Sequence, residues 1–343
     1  MVPVPGQRVR PDNGLCAGTW HERPGLLESA ALMRLSVVIP LLNEEANLRP
    51  LHDRLAAVFA QLGCDAQMIF VDDGSTDGSG KVIAELAAGD SRVTGLRFSR
   101  NFGHEAASTA GFDLADGDAI VLMDADLQDP PEMIATMVAR WRDGNQIVYA
   151  KRSRRQGESA YKRFTSWLFY RILQGLSDVK IPPDVGDFRL IDKKVQEAVK
   201  RCREQDRFMR GLIAWTGFKT VAVTYDRPER ARGQTKYNTL KLLWLSLDAA
   251  VGFSILPLRI ATALGFCVTA FSLLMVAILV WQKVFKEIAI PGYALLATGM
   301  FFLGGVQMLL LGILGEYIGR VYRQVQGRPL YVVSEVIGSS GAA

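Results

Sequence analysis

Residues 1–250 alternate short apolar runs with stretches in which apolar residues recur at helical spacing. The run Leu35–Pro40 is short and continuous, as expected of a strand that is buried on both faces. Beyond it, the spacing of Leu48, Leu51, Leu55 and Val58 predicts a helix with one apolar face. The same pattern predicts strands at 68–71, 93–98 and 146–150, a strand that runs into Asp124, and helices at 79–88, 104–115 and 131–142.

Strands that alternate with helices at this spacing predict βαβ units, and therefore an α/β fold with a mostly parallel sheet. In such sheets, ligands bind at the carboxyl ends of the strands. Polar residues that directly follow a predicted strand are therefore the first candidates for a functional site.

The pattern changes after residue 257, where two long apolar segments follow each other. Ile260–Trp281 contains no charged residue, and Ile288–Leu314 has Gln307 as its strongly polar residue. Each segment is long enough to cross a bilayer core of roughly 30 Å. We predict transmembrane helices at about 258–282 and 290–316 that form a hairpin; two buried core helices are the alternative.

Basic residues flank the hairpin and indicate its orientation. Arg259 precedes it, Arg320, Arg323 and Arg328 follow it, and the short linker holds Lys283 and Lys286. This modest bias favours both ends in the cytoplasm. The protein is therefore expected in the inner (plasma) membrane, with its large domain and its tail in the cytoplasm.

The remaining segments complete the domain organisation. Residues 1–33 are rich in Pro, Gly and Arg without periodicity, and we predict that they are disordered. Met33 directly before the first strand is a candidate translation start. Residues 34–235 form the α/β domain, 236–257 contain a core or interfacial helix, 258–317 form the hairpin, and 318–343 form a cytoplasmic tail.

Composition narrows the choice of partners. The net charge of +5 suits an anionic partner, either a membrane surface or a phosphate. We expect no nucleic-acid partner, because no nucleic-acid-binding motif is present. The four cysteines are far apart and form no C-x-x-C, which argues against a zinc site and a disulfide framework and fits a reducing compartment.

Two acidic clusters lie directly after predicted strands. Asp124-Ala125-Asp126 presents two hard carboxylates, which suit Mg²⁺ or Mn²⁺ together with the phosphates of a substrate. Asp72-Asp73 begins a Gly- and Ser-rich stretch whose carboxylates can accept bonds from a base or a ribose. Each cluster alone is also compatible with a simple acidic turn. The chain lacks the P-loop and the dinucleotide-binding glycine motifs.

Taken together, the motifs resemble family 2 glycosyltransferases of the GT-A fold. That resemblance rests on Val38–Pro40, Asn43-Glu44, Val71–Asp77 and Asp124–Asp126. The segments Asn101–Glu105, Asp124–Glu132, Gly186–Leu190 and Arg230–Tyr237 are similar to polyprenyl-phosphate glycosyltransferases with a dolichyl-phosphate mannose synthase type of catalytic domain. The apolar tail resembles the bacterial undecaprenyl-phosphate glucosyltransferase (GtrB) branch. The resemblance covers about residues 34–330.

The resemblance implies a binding site for a nucleotide sugar. The positions that match base and ribose contacts are Pro40, Glu44, Val71 and Asp73. The positions that match metal and diphosphate contacts are Asp124, Asp126 and Gln128, with Ala125 between the aspartates. Arg230 and Lys236 would lie in a loop that closes over the diphosphate. The implied cofactor is Mg²⁺ or Mn²⁺, which offsets the charge that develops on the leaving nucleoside diphosphate.

The implied acceptor is the phosphate of a polyprenyl lipid. A phosphate monoester is largely dianionic at neutral pH, so it needs cationic positioning more than a strong base. The candidates for its contacts are Arg152, Arg155, Lys162 and Ser166, with Arg152 also touching the transferring group. His104 is expected to start a helix that faces the site or to pack locally, and a role as a base is disfavoured. Asp187 and Arg189 either pair to shape the acceptor side or form a purely structural pair.

The resulting hypothesis is an inverting glycosyltransferase that moves one hexose, with UDP-glucose as the favoured donor, onto undecaprenyl phosphate at the membrane. Its catalytic residues would be Asp124, Asp126, Arg152 and Arg230. GDP-mannose or another UDP-sugar is the alternative donor, and a homo-tetramer is one assembly that the resemblance allows. A processive polysaccharide synthase is disfavoured because Gln-x-x-Arg-Trp is absent, and intact acidic motifs disfavour a non-catalytic scaffold.

Overall fold

The computed structural model describes residues 33–152, 185–225, 256–286 and 292–338. The strands are β1 (Arg34–Leu41), β2 (Asp65–Asp72), β3 (Val93–Phe98), β4 (Ala119–Leu122), β5 (Ile147–Arg152), β6 (Val185–Asp192), β7 (Thr220–Tyr225) and β8 (Val333–Ile337). The helices are α1 (Glu45–Leu62), α2 (Ser79–Gly89), α3 (His104–Leu114), α4 (Met133–Arg142), α5 (Lys193–Arg201), α6 (Met209–Trp215), α7 (Leu256–Lys286) and α8 (Tyr293–Val325).

The eight strands form one mixed sheet in the order β7-β5-β6-β4-β1-β2-β3-β8. Strand β1 pairs in parallel with β2 and β4, β2 pairs in parallel with β3, and β5 pairs in parallel with β7. A helix crosses over between consecutive strands in the first half, which is the connection that parallel pairing requires. The antiparallel pairs are β4 with β6, β5 with β6, and β3 with β8.

Helices cover both faces of the sheet, so successive residues of β1 enter different cores. Val37 and Ile39 belong to the cluster that includes apolar residues of α1, α2 and α4. Val38 belongs to the opposite cluster, with residues of α3, α5 and α6. Burial on both faces explains why the first strands appear in the sequence as continuous apolar runs.

Close packing of α3 against β1 depends on a glycine. A Cβ atom at Gly111 would lie 2.1 Å from Cγ1 of Val38. The helix can approach the strand at this point because Gly111 has no side chain. This packing fixes the position of the start of α3, which lies beside the carboxyl ends of the strands.

The predicted elements of the α/β domain are present, with shifts at their ends. The helix predicted at 131–142 begins at Met133, because Pro130 and Pro131 form the preceding turn and their carbonyls accept from Met133 N and Ile134 N. The strand predicted to run into Asp124 ends at Leu122. The predicted disorder of residues 1–32 and most of the predicted 236–257 segment lie outside the described residues.

The two C-terminal helices are longer than the predicted spans. Helix α7 includes 258–282 and continues through the predicted linker to Lys286, and α8 continues beyond 316 to Val325. Within the described ranges, one helical stretch, Phe302–Val325 in α8, is long and apolar enough to cross a membrane, with a mean hydropathy of 1.5. Helix α7 contributes a shorter apolar stretch, Ala261–Met275. The two-span topology thus stays a prediction.

The chain returns from α8 to the edge of the sheet of the α/β domain. Strand β8 pairs antiparallel with β3, and Ser99 N donates to Val332 O at 3.0 Å. Tyr331 stacks on Phe98 with ring centroids 5.2 Å apart. The residues predicted as a tail therefore contribute an edge strand to the sheet.

Candidate active site

A cavity of about 260 Å³ lies where the carboxyl ends of β1, β2 and β4 meet. The register of the parallel pair aligns Leu41 with Asp72, and the chain leaves β4 directly beside them. The cavity is lined by Pro40, Leu41, Leu42, Glu44, Asp73, Asn101, Gly103, His104, Ala107, Asp124, Ala125 and Asp126. The fold therefore brings the two acidic clusters of the sequence into one site.

The two adjacent aspartates after β2 have different environments. Asp72 is fully buried, and its Oδ1 accepts from Ser75 N at 2.7 Å, which closes a turn. Gly74 in that turn has a φ of +75°, and a Cβ there would lie 2.7 Å from the carbonyl carbon of Arg100. Asp73 faces the cavity instead. Asp72 thus has a structural role in closing the turn. The Asp73 carboxylate faces the cavity, where a ligand can reach it.

The backbone after β3 holds the Asp73 carboxylate in place. Phe102 N donates to its Oδ1 at 2.7 Å, and Gly103 N donates to its Oδ2 at 3.0 Å. Burial raises the pKa of Asp73 above its ordinary value, against the opposing effect of these two hydrogen bonds. Gly103 has a φ of +101°, a conformation that favours glycine.

A second loop holds Glu44 at the rim of the cavity. Asn43 has a φ of +58°, and its Oδ1 accepts from Thr76 N at 2.8 Å. Glu44 N donates to Ser79 Oγ at 3.1 Å, and Asn47 Nδ2 donates to Glu44 Oε2 at 2.5 Å. Asparagine tolerates this left-handed backbone better than most residues do. The Asn43-Glu44 motif therefore combines a turn residue with a residue that faces the site.

The Asp124–Asp126 loop leaves β4 in a tight conformation. Asp126 Oδ1 accepts from Gln128 N at 3.1 Å, and Leu127 has a φ of +59°. Gln128 is 5% exposed and does not line the cavity, whereas both aspartates do. Below the loop, Asp129 is buried and its Oδ1 accepts from Tyr225 Oη at 2.7 Å.

Asp124 lies in a strongly acidic environment. Burial raises its pKa to about 6, with further contributions from Asp129, Asp187 and Asp126, while His104 lowers it. His104 Nε2 is 3.8 Å from Asp124 Oδ1 and also 3.8 Å from Asp187 Oδ2. The imidazole thus lies between two carboxylates at the wall of the cavity, at the start of α3, which is one of the two placements that the sequence predicts.

Asp187 on β6 is paired mainly with an arginine that the sequence analysis missed. Arg210 Nε and Nη2 donate to its two carboxylate oxygens at 2.7 and 2.5 Å, whereas the expected partner Arg189 reaches it at 3.4 Å. Burial alone would raise the pKa of Asp187, but the bonds from Arg210 dominate and lower it to about 2. Arg189 is itself buried and donates to the carbonyls of Gly186 and Asp187.

Several predicted site residues are placed elsewhere or are not described. The Val71 side chain is fully buried in the core cluster on the α3 side of the sheet, away from the cavity lining. Arg152 is the last residue of β5, in register with Tyr225 of β7. Other predicted phosphate and diphosphate contacts lie outside the described residues: Arg155, Lys162, Ser166, Arg230 and Lys236.

The site also contains residues that the sequence analysis did not assign to it. Asn101 and Gly103 line the cavity because the loop after β3 folds over Asp73. The sequence could have indicated both residues, because they follow the carboxyl end of the strand predicted at 93–98. For Arg210, in contrast, the sequence shows only an arginine within a short helix, and its partner Asp187 is distant along the chain.

Comparison with known proteins agrees with this architecture. Residues 36–199 match the family described as Glycosyl transferase family 2, and residues 256–321 match the family described as GtrB C-terminal hairpin. An uncharacterized glycosyltransferase of Synechocystis sp. is 45% identical over 306 residues, which are 89% of this chain and 96% of the relative.

Two further relatives carry more specific names. The prophage bactoprenol glucosyl transferase homolog of Escherichia coli (strain K12) is 40% identical, over 89% of this chain and 99% of the relative. The bactoprenol glucosyl transferase of Shigella phage SfII is 40% identical, over 88% of this chain and 98% of the relative. With its GT-A-like sheet and its acidic cavity, the chain belongs to glycosyl transferase family 2 and carries a GtrB-type C-terminal hairpin.

Proposed function

We propose that this protein transfers glucose from UDP-glucose to the phosphate of bactoprenol, a polyprenyl lipid, at the cytoplasmic face of the membrane. The observation that carries the proposal is the convergence of Asp124, Asp126, Asp73 and Glu44 on one cavity. Relatives named bactoprenol glucosyl transferase align over nearly their whole length, including the hairpin, which supports the choice of sugar and lipid.

The nucleoside half of the donor would bind between the ends of β1 and β2. Glu44 and Asp73 offer carboxylate oxygens to hydroxyl or N–H donors, and Pro40 provides an apolar wall. Both carboxylates are already held by neighbouring backbone or side-chain groups. A site whose acceptors are fixed before binding loses less conformational entropy when the ligand arrives.

A divalent cation, Mg²⁺ or Mn²⁺, would be held by Asp124 and Asp126 together with the donor diphosphate. The residues fit such an ion, since burial, with further contributions from Asp129, Asp187 and Asp126, raises the pKa of Asp124 to about 6, and a cation would offset that concentration of negative charge. In the described part of the chain, no group of three or more His, Cys, Asp or Glu side chains forms a metal site by itself. Mg²⁺ commonly takes one or two carboxylates plus phosphates, and when bound it offsets charge on the leaving diphosphate.

The transfer would be a single displacement at the anomeric carbon. A phosphate oxygen of the lipid forms the new bond to that carbon as the bond to the β-phosphate oxygen breaks, and UDP leaves with that electron pair. The configuration inverts, and no proton has to be removed from a dianionic acceptor. His104, 3.8 Å from both Asp124 and Asp187, lies where it can orient the reacting groups.

The hairpin would anchor this reaction to the membrane. Large apolar side chains on both helices are exposed, for example Phe266 at 78% and Met300 at 73%, and lipid would cover them. Strand β8 follows α8 and pairs with β3. This pairing supports a topology in which both ends of the hairpin lie on the side of the membrane that holds the α/β domain.

Transfer of radiolabelled sugar from UDP-glucose to bactoprenyl phosphate tests the proposal. The purified full-length protein would be assayed with Mg²⁺, with Mn²⁺ and with EDTA, and with GDP-mannose as a parallel donor. We expect a lipid-extractable glucose product that EDTA abolishes. A product from GDP-mannose alone would refute the choice of donor, and no product from either donor would refute the proposed function.

A matched pair of variants tests the site itself. Asp126→Asn removes one charge from the cavity, and Asp53→Asn removes one from an exposed position on α1. We expect a loss of at least about a hundredfold in transfer for the first variant and none for the second. Full activity of Asp126→Asn would contradict the metal assignment.

A further inference from the structure

Helix α8 is longer than a membrane crossing requires. Its 33 residues span about 50 Å, against a bilayer core of roughly 30 Å. The part from Tyr293 to Gly315 is uncharged and covers about 34 Å by itself. The charged residues Glu316, Arg320 and Arg323 all follow it, within the C-terminal half of the apolar stretch Phe302–Val325. Because charged side chains are costly in the bilayer core, the uncharged part Tyr293–Gly315 is the better crossing segment, and the excess length then projects from the membrane at the C-terminal end of the helix.

The catalytic domain contacts this projecting end through the loop between α5 and α6. Arg320 Nη1 and Arg323 Nη2 both lie close to Asp206 Oδ2, at 3.1 and 2.9 Å. Gln205 N donates to Gln324 Oε1 at 2.9 Å, and Gln324 Nε2 donates to Arg203 O at 3.2 Å. We call this set of contacts the joint. One exposed ion pair contributes little, but here two cations share one carboxylate and backbone hydrogen bonds accompany them.

The segment between α8 and β8 reinforces the joint. Arg203 forms two bonds to Asp113 at the end of α3, and Tyr331 Oη donates to the same carboxylate at 2.8 Å. Gln205 Nε2 also donates to the carbonyl of Arg328. The chain is therefore fixed to the catalytic domain on both sides of the point where α8 ends.

Only a few residues separate the joint from the cavity. Met209 N, at the start of α6, donates to Glu105 Oε2 at 2.8 Å, and Glu105 is the neighbour of His104. The next residue, Arg210, binds Asp187, which lies 3.8 Å from His104. The loop that contacts the membrane helix thus continues directly into α6, whose first two residues bind Glu105 and Asp187, the neighbours of His104 at the cavity wall.

We propose that Asp206, through the joint, is a positioning residue that sets the height of the cavity above the membrane so that the site meets a phosphate at the headgroup level. The inference rests on the proposed function for its lipid acceptor. Arg320 and Arg323 lie about 7 and 12 Å past Gly315 along the helix, which places them at the outer edge of a headgroup layer about 5–7 Å thick and just beyond it. A rigid contact at that depth fixes the distance between lipid phosphate and cavity.

A comparison of two acceptors distinguishes an effect on the positioning of the site from an effect on the chemical step. One is bactoprenyl phosphate embedded in phospholipid vesicles with the reconstituted protein, and the other is a water-soluble, short-chain polyprenyl phosphate. Asp206→Arg places a cation against Arg320 and Arg323 and opens the joint by repulsion. We expect kcat/KM for the embedded acceptor to fall about tenfold, while kcat/KM for the soluble acceptor stays within about twofold.

The matched control is Asp53→Arg, the same charge change at a side chain that is 79% exposed on α1 and contacts His52. It should change neither reaction. The triple variant Asp206→Arg, Arg320→Asp, Arg323→Asp reverses all charges of the joint and should recover the embedded-acceptor reaction. Binding of UDP by Asp206→Arg, measured by calorimetry, should equal that of the wild type and shows that the domain is folded.

Equal losses on both acceptors, or no loss on either, would overturn the role of the joint. Failure of the charge-reversed variant to recover the embedded-acceptor reaction would also count against it. These results are distinct from failure of the proposed function, which is read from the wild type. If the wild-type protein transfers no glucose to either acceptor, the proposed function fails before any variant is compared.

Discussion

The pairing of Arg210 with Asp187 gives a quantitative test of the site's electrostatics. Arg210→Met removes the guanidinium and keeps much of the side-chain volume. Asp187 would then lie at a 13% exposed position without its bidentate partner. The variant therefore removes the largest of the contributions that lower the pKa of Asp187.

The magnitude follows from that pKa. Burial tends to raise it, yet Arg210, together with Arg189 and His104, lowers it from 3.8 to about 2. Since one pKa unit corresponds to about 1.4 kcal/mol, the depression is worth about 2 kcal/mol of folding stability. For a carboxyl group with a lowered pKa, this contribution is complete above the unfolded value near 3.8 and is lost as the pH falls towards 2.

The assay is urea unfolding of the full-length protein in detergent micelles, followed by tryptophan fluorescence between pH 3 and pH 8. We expect Arg210→Met to be less stable than the wild type by about 2 kcal/mol at pH 7, with the difference shrinking below pH 4. The control is Arg140→Met, which breaks a 3.5 Å pair of two largely exposed side chains and should cost at most about 0.5 kcal/mol.

Two results would refute the reasoning. One is a loss at pH 7 no larger than that of Arg140→Met, which would mean that Arg210 does not stabilise a buried charge. The other is a loss that stays constant from pH 8 to pH 3, because a pH-independent effect would reflect packing and not the ionisation of Asp187.

Three further predictions concern other parts of the molecule. Gly111→Ala should destabilise the protein by about 1–3 kcal/mol in urea unfolding, because the new Cβ would overlap Val38; an unchanged midpoint would contradict the close packing of α3 on β1. Tyr331→Phe should cost about 1 kcal/mol through loss of the bond to Asp113, and faster proteolysis after residue 325 would report the loosened strand. EDTA should weaken UDP binding to the wild type by at least about tenfold and barely affect Asp126→Asn, and equal effects on both would argue against a metal at that aspartate.

The sequence alone determined the elements of the α/β domain and the location of the site. Strands buried on both faces produce continuous apolar runs, so β1, β2 and β4 could be recognised without a structure. Acidic residues at the ends of such strands must meet at one edge of a parallel sheet. Asp73 and Asp124 were therefore predictable as neighbours, although they are 51 positions apart in the sequence.

Tertiary structure decided which residue performs which task within each cluster. Asp72 and Asp73 are identical in type and adjacent, yet one closes a buried turn and the other faces the cavity. Successive residues of an extended chain point to opposite sides, and the loop after β3 selected Asp73 through the amides of Phe102 and Gly103. Val71 matches a position that contacts the base or ribose in the resemblance, but its side chain is buried in the core.

Tertiary structure alone also determined the long-range contacts. Arg210 meets Asp187 because α6 packs against α3 and α5, and no local pattern encodes a contact between residues so far apart along the chain. Strand β8 is a short strand at the edge of the sheet. It is recognisable as a strand only through its pairing with β3. Local periodicity specifies which face of an element is buried, whereas the partners across that face depend on how the whole chain packs.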